Sequence, residues 1–492
     1  MDNQNDQNFE NQKNQVNEEV TAAEVKKSLP KKTKMAIIIS AGILLVAALA
    51  LLLIFVVFKH KHDWSTWQTV KEATCSEEGQ EIRTCECGEV ETKNIPILDH
   101  DGTTGLHFTL LSNGTYSVSR GNTDSSEIII PSKYKNIAVT KIENNAFSNC
   151  ENLKSITIPP SVVDIGWSAF SECSSLEALT IPNSVKSIGF SALKGCSNLK
   201  NLTIPFVGAT ENGSGNKHFG HIFGAASYQD HEKVGYIPTS LSVVIITLED
   251  AIEDRAFQGC QYIDSISLPN TLTKIGEWAF MDCDSLTEIV IPSSVTNWQR
   301  GAFYYCERLK TVTISEGITY IGDGAFSGCE ILTSIFIPNS VKTIDAGAFS
   351  GCESLNEIII PDSVTFIGES AFSGCTSLTQ IVIPKNVSIL KENTFWNCKN
   401  LQSITLPEGL TTIEENVFFS CKKLNEIIIP SSVVTIGSEA FKSCSNLSSV
   451  VFVKTNGWKA GFTSLSSNEL SNASTAATYL TTKYYYSEWI CQ

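Results

Sequence analysis

The sequence predicts a repeat solenoid built on a long parallel β-sheet and preceded by a single transmembrane helix. Three observations carry that expectation. Cysteines recur every 23 residues, at positions 150, 173 and 196 and then in unbroken steps from 260 to 444. Around each of them the same apolar frame returns. Ahead of the repeats, Met35 to Phe58 form 24 consecutive positions without a charged side chain.

In chain order, residues 1–34 come first; they are rich in Asn, Gln and Glu, carry six acidic and six basic residues, and read as a disordered cytoplasmic tail. Residues 35–58 would extend about 36 Å as a helix at ~1.5 Å per residue, enough to cross a ~30 Å hydrocarbon core. Lys26, Lys27, Lys31, Lys32 and Lys34 precede that span closely and only Lys59 and Lys61 follow it. The positive-inside rule therefore places the N-terminus in the cytoplasm and everything after Phe58 outside. A cleaved signal peptide, suggested by Ala48-Leu49-Ala50, is disfavoured by the length of the apolar run and by the polar segment ahead of it.

The whole chain carries 36 Lys+Arg against 52 Asp+Glu, a formal charge of −16. Since the tail is neutral, 30 basic residues (36 − 6) face 46 acidic ones (52 − 6) on the exterior part. That balance excludes nucleic acid as an expected partner, because phosphate attachment needs clustered Lys and Arg. A hydrophobic content of 42% excludes a disordered polyelectrolyte.

Residues 59–103 form a juxtamembrane module with His62-x-Trp64, Cys75, Cys85-x-Cys87-Gly88 and His100. Cys75, Cys85, Cys87 and His100 would satisfy a tetrahedral Cys3His zinc site. A disulfide-linked stalk and a plain spacer are the other readings, and the spacing leaves all three open.

The solenoid is expected over residues 104–455. Each repeat places Ala-Phe just before the cysteine, Leu or Ile at +3, aliphatic residues at +6 and +8, usually Pro at +9, and aliphatic residues at +12 and near +15. Apolar +6 and +8 around a variable +7 is period two, a short half-buried strand that proline terminates. One such unit cannot bury its own apolar face, so neighbours must stack into a continuous core. The hairpin signal Asn113-Gly114, between Phe108-Thr109-Leu110 and Tyr116-Ser117-Val118, predicts an N-terminal cap. On the other side, residues 456–492 predict a C-terminal cap, with Trp458, Phe462, Leu465, Leu470, Leu480, Tyr484, Tyr485, Tyr486 and Trp489 as apolar cover.

Leu355-x-x-Ile358-x-Ile360-Pro361-x-x-Val364-x-x-Ile367-Gly368-x-x-Ala371-Phe372-x-x-Cys375 carries the frame in full. It resembles the repeat of the BspA-like leucine-rich repeat surface proteins. Departures are local: Ser315 replaces the proline, Trp298 an isoleucine, and Leu193, Thr394 and Val417 interrupt the Ala-Phe pair. The resemblance implies a non-enzymatic extracytoplasmic protein that engages host or neighbouring-cell macromolecules. No Leu-Pro-x-Thr-Gly sorting sequence occurs, so the N-terminal helix is expected to serve as the anchor.

Four groups of candidate residues follow. The repeat cysteines read as small buried hydrophobes rather than a metal ladder. An insertion near 206–236 carries His218, His221 and His231 and reads as a solvent-exposed contact loop, with a metal site as the lesser alternative. The Cys/His set of the juxtamembrane module is the third. The fourth is the solvent face of the sheet, where +5 and +7 point outward: Glu288, Val290, Phe336, Glu357, Ile359, Val382, Glu426 and Ile428 form an apolar stripe beside carboxylates. Exposed Val, Ile and Thr also suit strands for their own sake, which is the plainer explanation.

No nucleophile–base pair or phosphate-binding glycine loop is present. The expected protein is therefore a membrane-anchored surface protein that adheres to or recognises extracellular proteins or cell-surface polymers through its sheet face. A structural envelope spacer and a receptor signalling through residues 1–34 are the alternatives. No cofactor is expected apart from the zinc just discussed.

Overall fold

The computed structural model describes residues 64–71, 79–85, 88–95, 102–211, 216–231 and 236–492. The tail, the apolar segment 35–58, Cys75, Cys87 and His100 lie outside the described residues. Among the described residues, no helix is long and apolar enough to cross a membrane. Two compact units are present. In the smaller, whose described residues are 64–65, 84–85 and 88–89, Trp64 bridges Cys85 antiparallel and Cys85 N–H donates to Glu89 O at 2.8 Å.

The larger unit is a parallel β-solenoid of about 14 turns. Its principal strands are three or four residues long, as in Glu288–Ile291, Thr311–Ile314 and Glu426–Ile429, with alternating exposed and buried side chains. The alternation and the proline explain the length: Ile358 and Ile360 are buried, and Pro361, lacking an N–H, ends the strand and accepts a turn bond from Val364 N–H at 3.0 Å. Register is in phase across the stack, so Glu288 opposes Thr311 and Val290 opposes Thr313.

A second parallel ladder of two-residue strands runs along the return path, for example Tyr320–Ile321, Thr343–Ile344 and Phe366–Ile367. The sequence frame places an aliphatic residue there, but two residues carry too little alternation to announce a strand. Where a glycine follows, as after Ile275 and Ile367, it admits a close approach of the preceding turn. A Cβ at Gly276 would sit 2.5 Å from the backbone nitrogen of Asp254 in the preceding turn.

Between the ladders lies the core. In every turn except that of Leu193, a buried phenylalanine occupies this position, and from Phe257 onward each stacks on the next, with ring centroids 5.7 Å apart for Phe326–Phe349 and 5.5 Å for Phe349–Phe372. Each contributes roughly 1.5–3 kcal/mol by burial alone. The repeat cysteines are buried beside them, and each thiol from Cys283 to Cys444 donates to a phenylalanine carbonyl in the preceding turn, as Cys352 does to Phe326 O at 3.2 Å. Burial pushes the Cys352 and Cys398 thiols up to about 12.

Both ends are capped. The strands His107–Leu110 and Tyr116–Ser119 form the expected antiparallel hairpin, and the second of them joins the second ladder through Ile137–Ile142. At the C-terminus the strand Trp489–Cys491 pairs antiparallel with Thr435–Ile436, while the helix Ala473–Thr478 packs against the last principal strand, Ser449–Phe452. Trp458 and Trp489 are buried against Phe452. Phe462 and Tyr486, expected in that cover, are instead exposed. The cover is supplied by the two tryptophans together with Leu465, Leu470 and Leu480, all buried.

The insertion is corrected more substantially. It is a turn of the solenoid, not a projecting loop. Ser191 and Leu193 donate to His221 O and Ile222 O on one side, and Phe219 N–H donates to Ala256 O at 2.8 Å on the other. Phe219 thereby enters the phenylalanine column against Phe257, and the strand Val243–Ile246 completes the turn by pairing with Asn201–Ile204 and Ser265–Ser267.

Candidate recognition surface

The outward faces of the principal strands form a continuous surface. Val290, Thr313, Phe336 and Ile359 are successive cross-strand partners, and the same row continues in the pairs Val382–Thr405 and Ile428–Val451. Phe336 is 69% exposed, Ile359 82%, Val382 63% and Ile428 60%, so strand alternation leaves them in water. Val290 is also exposed. Two residues earlier on their strands, Glu288, Glu357 and Glu426 are exposed carboxylates that border the stripe. The arrangement offers several adjacent apolar contacts with a negative margin, and no acid–base pair.

The N-terminal part of the same face has an intramolecular neighbour. β1 (Gln68–Lys71), β2 (Gly79–Thr84) and β3 (Val90–Ile95) make a three-stranded sheet in that order. Thr180 Oγ1 donates to the Thr69 carbonyl at 3.1 Å. Trp67 and Thr69 share a cavity of about 350 Å³ with Thr157, Thr180 and Thr203. Thr203 is buried, whereas Thr313 and Thr405 at the equivalent position are exposed. The sequence frame treats these threonines alike and gives no sign of that neighbour.

The histidines do not join this surface. His218 and His221 are both buried, with ring centroids 6.1 Å apart, which overturns their reading as exposed contacts. Burial, reinforced by the neighbouring His221, lowers the His218 pKa to about 4, and burial lowers that of His221 as well. His231 closes the short helix Tyr228–His231, and its side chain lies outside the description. Among the described residues no group of three or more His, Cys, Asp or Glu is arranged to hold a metal ion. Of the four candidate zinc ligands only Cys85, which is buried, is described.

A different buried charge fixes the insertion. Glu249 accepts Val207 N–H at 2.6 Å and lies 3.4 Å from Lys217 Nζ. Burial outweighs both and raises its pKa to about 7.

The fold and this surface define a leucine-rich repeat solenoid with an open sheet face. Residues 120–215, 239–356 and 342–458 match the BspA type leucine rich repeat region, well over half of the chain, and the protein belongs to that family. Such solenoids are typically non-enzymatic and generally bind proteins. Among solved structures the chain is similar to a leucine-rich repeat protein from Bacteroides ovatus, at 26% identity over 72% of this chain and 88% of that one, with a TM-score of 0.35. A leucine rich cell surface protein from Faecalibacterium prausnitzii is similar at 28% identity over 72% and 94%, with the same TM-score of 0.35. The pneumococcal vaccine antigen PcpA is similar at 18% identity over 72% and 98%, with a TM-score of 0.26. No curated protein matches the chain.

Proposed function

We propose that this protein is a membrane-anchored surface protein that recognises or adheres to an extracellular macromolecule through the sheet face between Val290 and Ile428. The observation that carries the reading is the row Phe336, Ile359, Val382 and Ile428, all exposed at the same position of the repeat. Contiguous apolar surface of this kind marks interaction sites, and a solenoid repeats it without new architecture. The bordering Glu288, Glu357 and Glu426 favour a basic or mixed-charge partner. Residues 35–58 supply the anchor in this reading, with the N-terminus cytoplasmic and the repeats outside.

The test is equilibrium binding of the purified chain to a panel of matrix glycoproteins, host-cell surfaces and envelope polymers. Saturable binding to a member of the panel is expected. A folded protein that binds none of them would instead favour the structural spacer.

A further inference from the structure

A second surface lies beside the turns that carry the phenylalanine column. Five residues before the cysteine, every cysteine-bearing turn from Asn145 to Glu439 adopts a left-handed backbone, and the position is held by Asn, Ser, Gly or Glu except at two adjacent turns. There it is Arg255, at φ 59°, and Trp278, at φ 53°. Bulky residues seldom occupy this region, and when they do the site is often functional.

Both side chains have a defined seat. The Arg255 guanidinium lies 4.0 Å from the centre of the Trp278 ring and 5.1 Å from that of Tyr228, and it donates to Gln258 Oε1 at 2.9 Å. Tyr228 comes from the insertion, so that segment helps fix the stack. The Trp278 indole rests on Gly301, where an added Cβ would meet its Cδ1 at 2.6 Å. Beyond it the same column reads Gly301, Gly324, Gly347, three turns in succession without a side chain. The result is a groove of about 490 Å³, walled by Trp278 and Tyr304 and rimmed by Arg300 and Asp323, which pair at 3.3 Å.

We propose that this groove binds a neutral oligosaccharide. A pyranose ring presents an apolar C–H face, which suits an aromatic wall, and vicinal hydroxyls, which suit the forked donors of a guanidinium and the two acceptors of a carboxylate. The glycine column clears about 10 Å of floor at ~4.8 Å per turn, room for a short run of linked rings rather than one. A groove of mixed polarity lacks the apolar pocket that anchors a peptide side chain, and the −16 charge opposes a polyanion. The site is separate from the sheet face and does not depend on it.

The experiment uses the full chain in lipid nanodiscs, titrated with maltohexaose, cellohexaose, chitohexaose and mannohexaose and read by tryptophan fluorescence and saturation-transfer NMR. Saturable binding of at least one probe is expected, weakened at least tenfold in Trp278→Ala and in Gly324→Asn. The second variant fills the groove with a residue this column already accepts at Asn145, Asn393 and Asn416, and an added Cβ at 324 meets its nearest neighbours at an ordinary 3.8 Å. If its melting temperature falls, Gly347→Asn replaces it, since a Cβ there meets nothing closer than 3.9 Å. Phe336→Lys/Ile359→Lys should bind the sugar as the parent does, which separates this site from the sheet face. Absence of saturable binding to all four probes, or full affinity in the groove-filling variants, overturns the proposal.

Discussion

The ring of Phe219 lies 4.8 Å from that of Phe257, at the head of an unbroken stack that continues turn by turn to Phe441. This contact makes the insertion part of the core. Phe219→Ala should therefore destabilise the protein by about 3–5 kcal/mol, as for a core phenylalanine, rather than by the few tenths expected of a loop residue. Urea denaturation of the variant, with Phe349→Ala as the reference inside the column, measures it. A negligible loss would mean that the insertion is not a structural turn.

Gly276 tests the second ladder. Its missing side chain admits the backbone of the preceding turn, so Gly276→Ala must push that turn away even though its φ is not left-handed. The expected cost is about 1–3 kcal/mol of overpacking. Gly351→Asn, where a Cβ would meet nothing closer than 3.5 Å and the same position before the cysteine already holds Asn149 and Asn397 at positive φ, should cost clearly less in the same denaturation assay.

Glu249 gives stability a pH dependence of definite sign. Its folded pKa of about 7 lies above the ordinary 4.5, so the folded state holds more protons than the unfolded state between those values. Its contribution is fully present below pH 4.5 and is lost as pH rises through 7. His218, lowered to about 4, acts in the opposite direction: its contribution is present above its ordinary 6.5 and is lost as pH falls through 4. Glu249→Gln removes the first effect alone. Relative to the parent, the variant should gain stability between pH 5 and pH 8, by roughly 1–3 kcal/mol. Parallel stability curves for the two proteins would contradict the assignment.

The cysteine column should react unevenly. A hydrogen bond with the Cys173 thiol and the nearby Arg120 charge lower the Cys150 pKa to about 7, against the upward push of its partial burial. Deeper thiols such as Cys283, Cys329 and Cys375 are raised well above the ordinary range by burial. Iodoacetamide at pH 8, followed by peptide mass spectrometry, should modify Cys150 before the other repeat cysteines, and Arg120→Ala should slow it. Equal rates along the column would argue against this gradient.

The repeat frame made the principal sheet, its inward and outward columns and both caps legible, because a 23-residue period fixes the pattern many times over. The second ladder escaped because its strands are two residues long. The insertion is hidden for a different reason: its turn has Ile222 rather than cysteine beside Leu193 and Phe219, so the 23-residue cysteine period breaks where the packing continues. The apolar row from Val290 to Ile428 was visible by alternation alone. Arg255 and Trp278 were missed, although two bulky residues in a column of Asn, Ser, Gly and Glu are a readable signal once the backbone is known to be left-handed there.

The central claim is that the exposed sheet face is where a partner binds, and the most direct measurement is the affinity of Phe336→Lys/Ile359→Lys for a partner captured by the parent. Both residues point into water, so the variant should melt as the parent does. The account predicts binding at least tenfold weaker, a loss of about 1.4 kcal/mol or more. Unchanged affinity in a folded variant would contradict it.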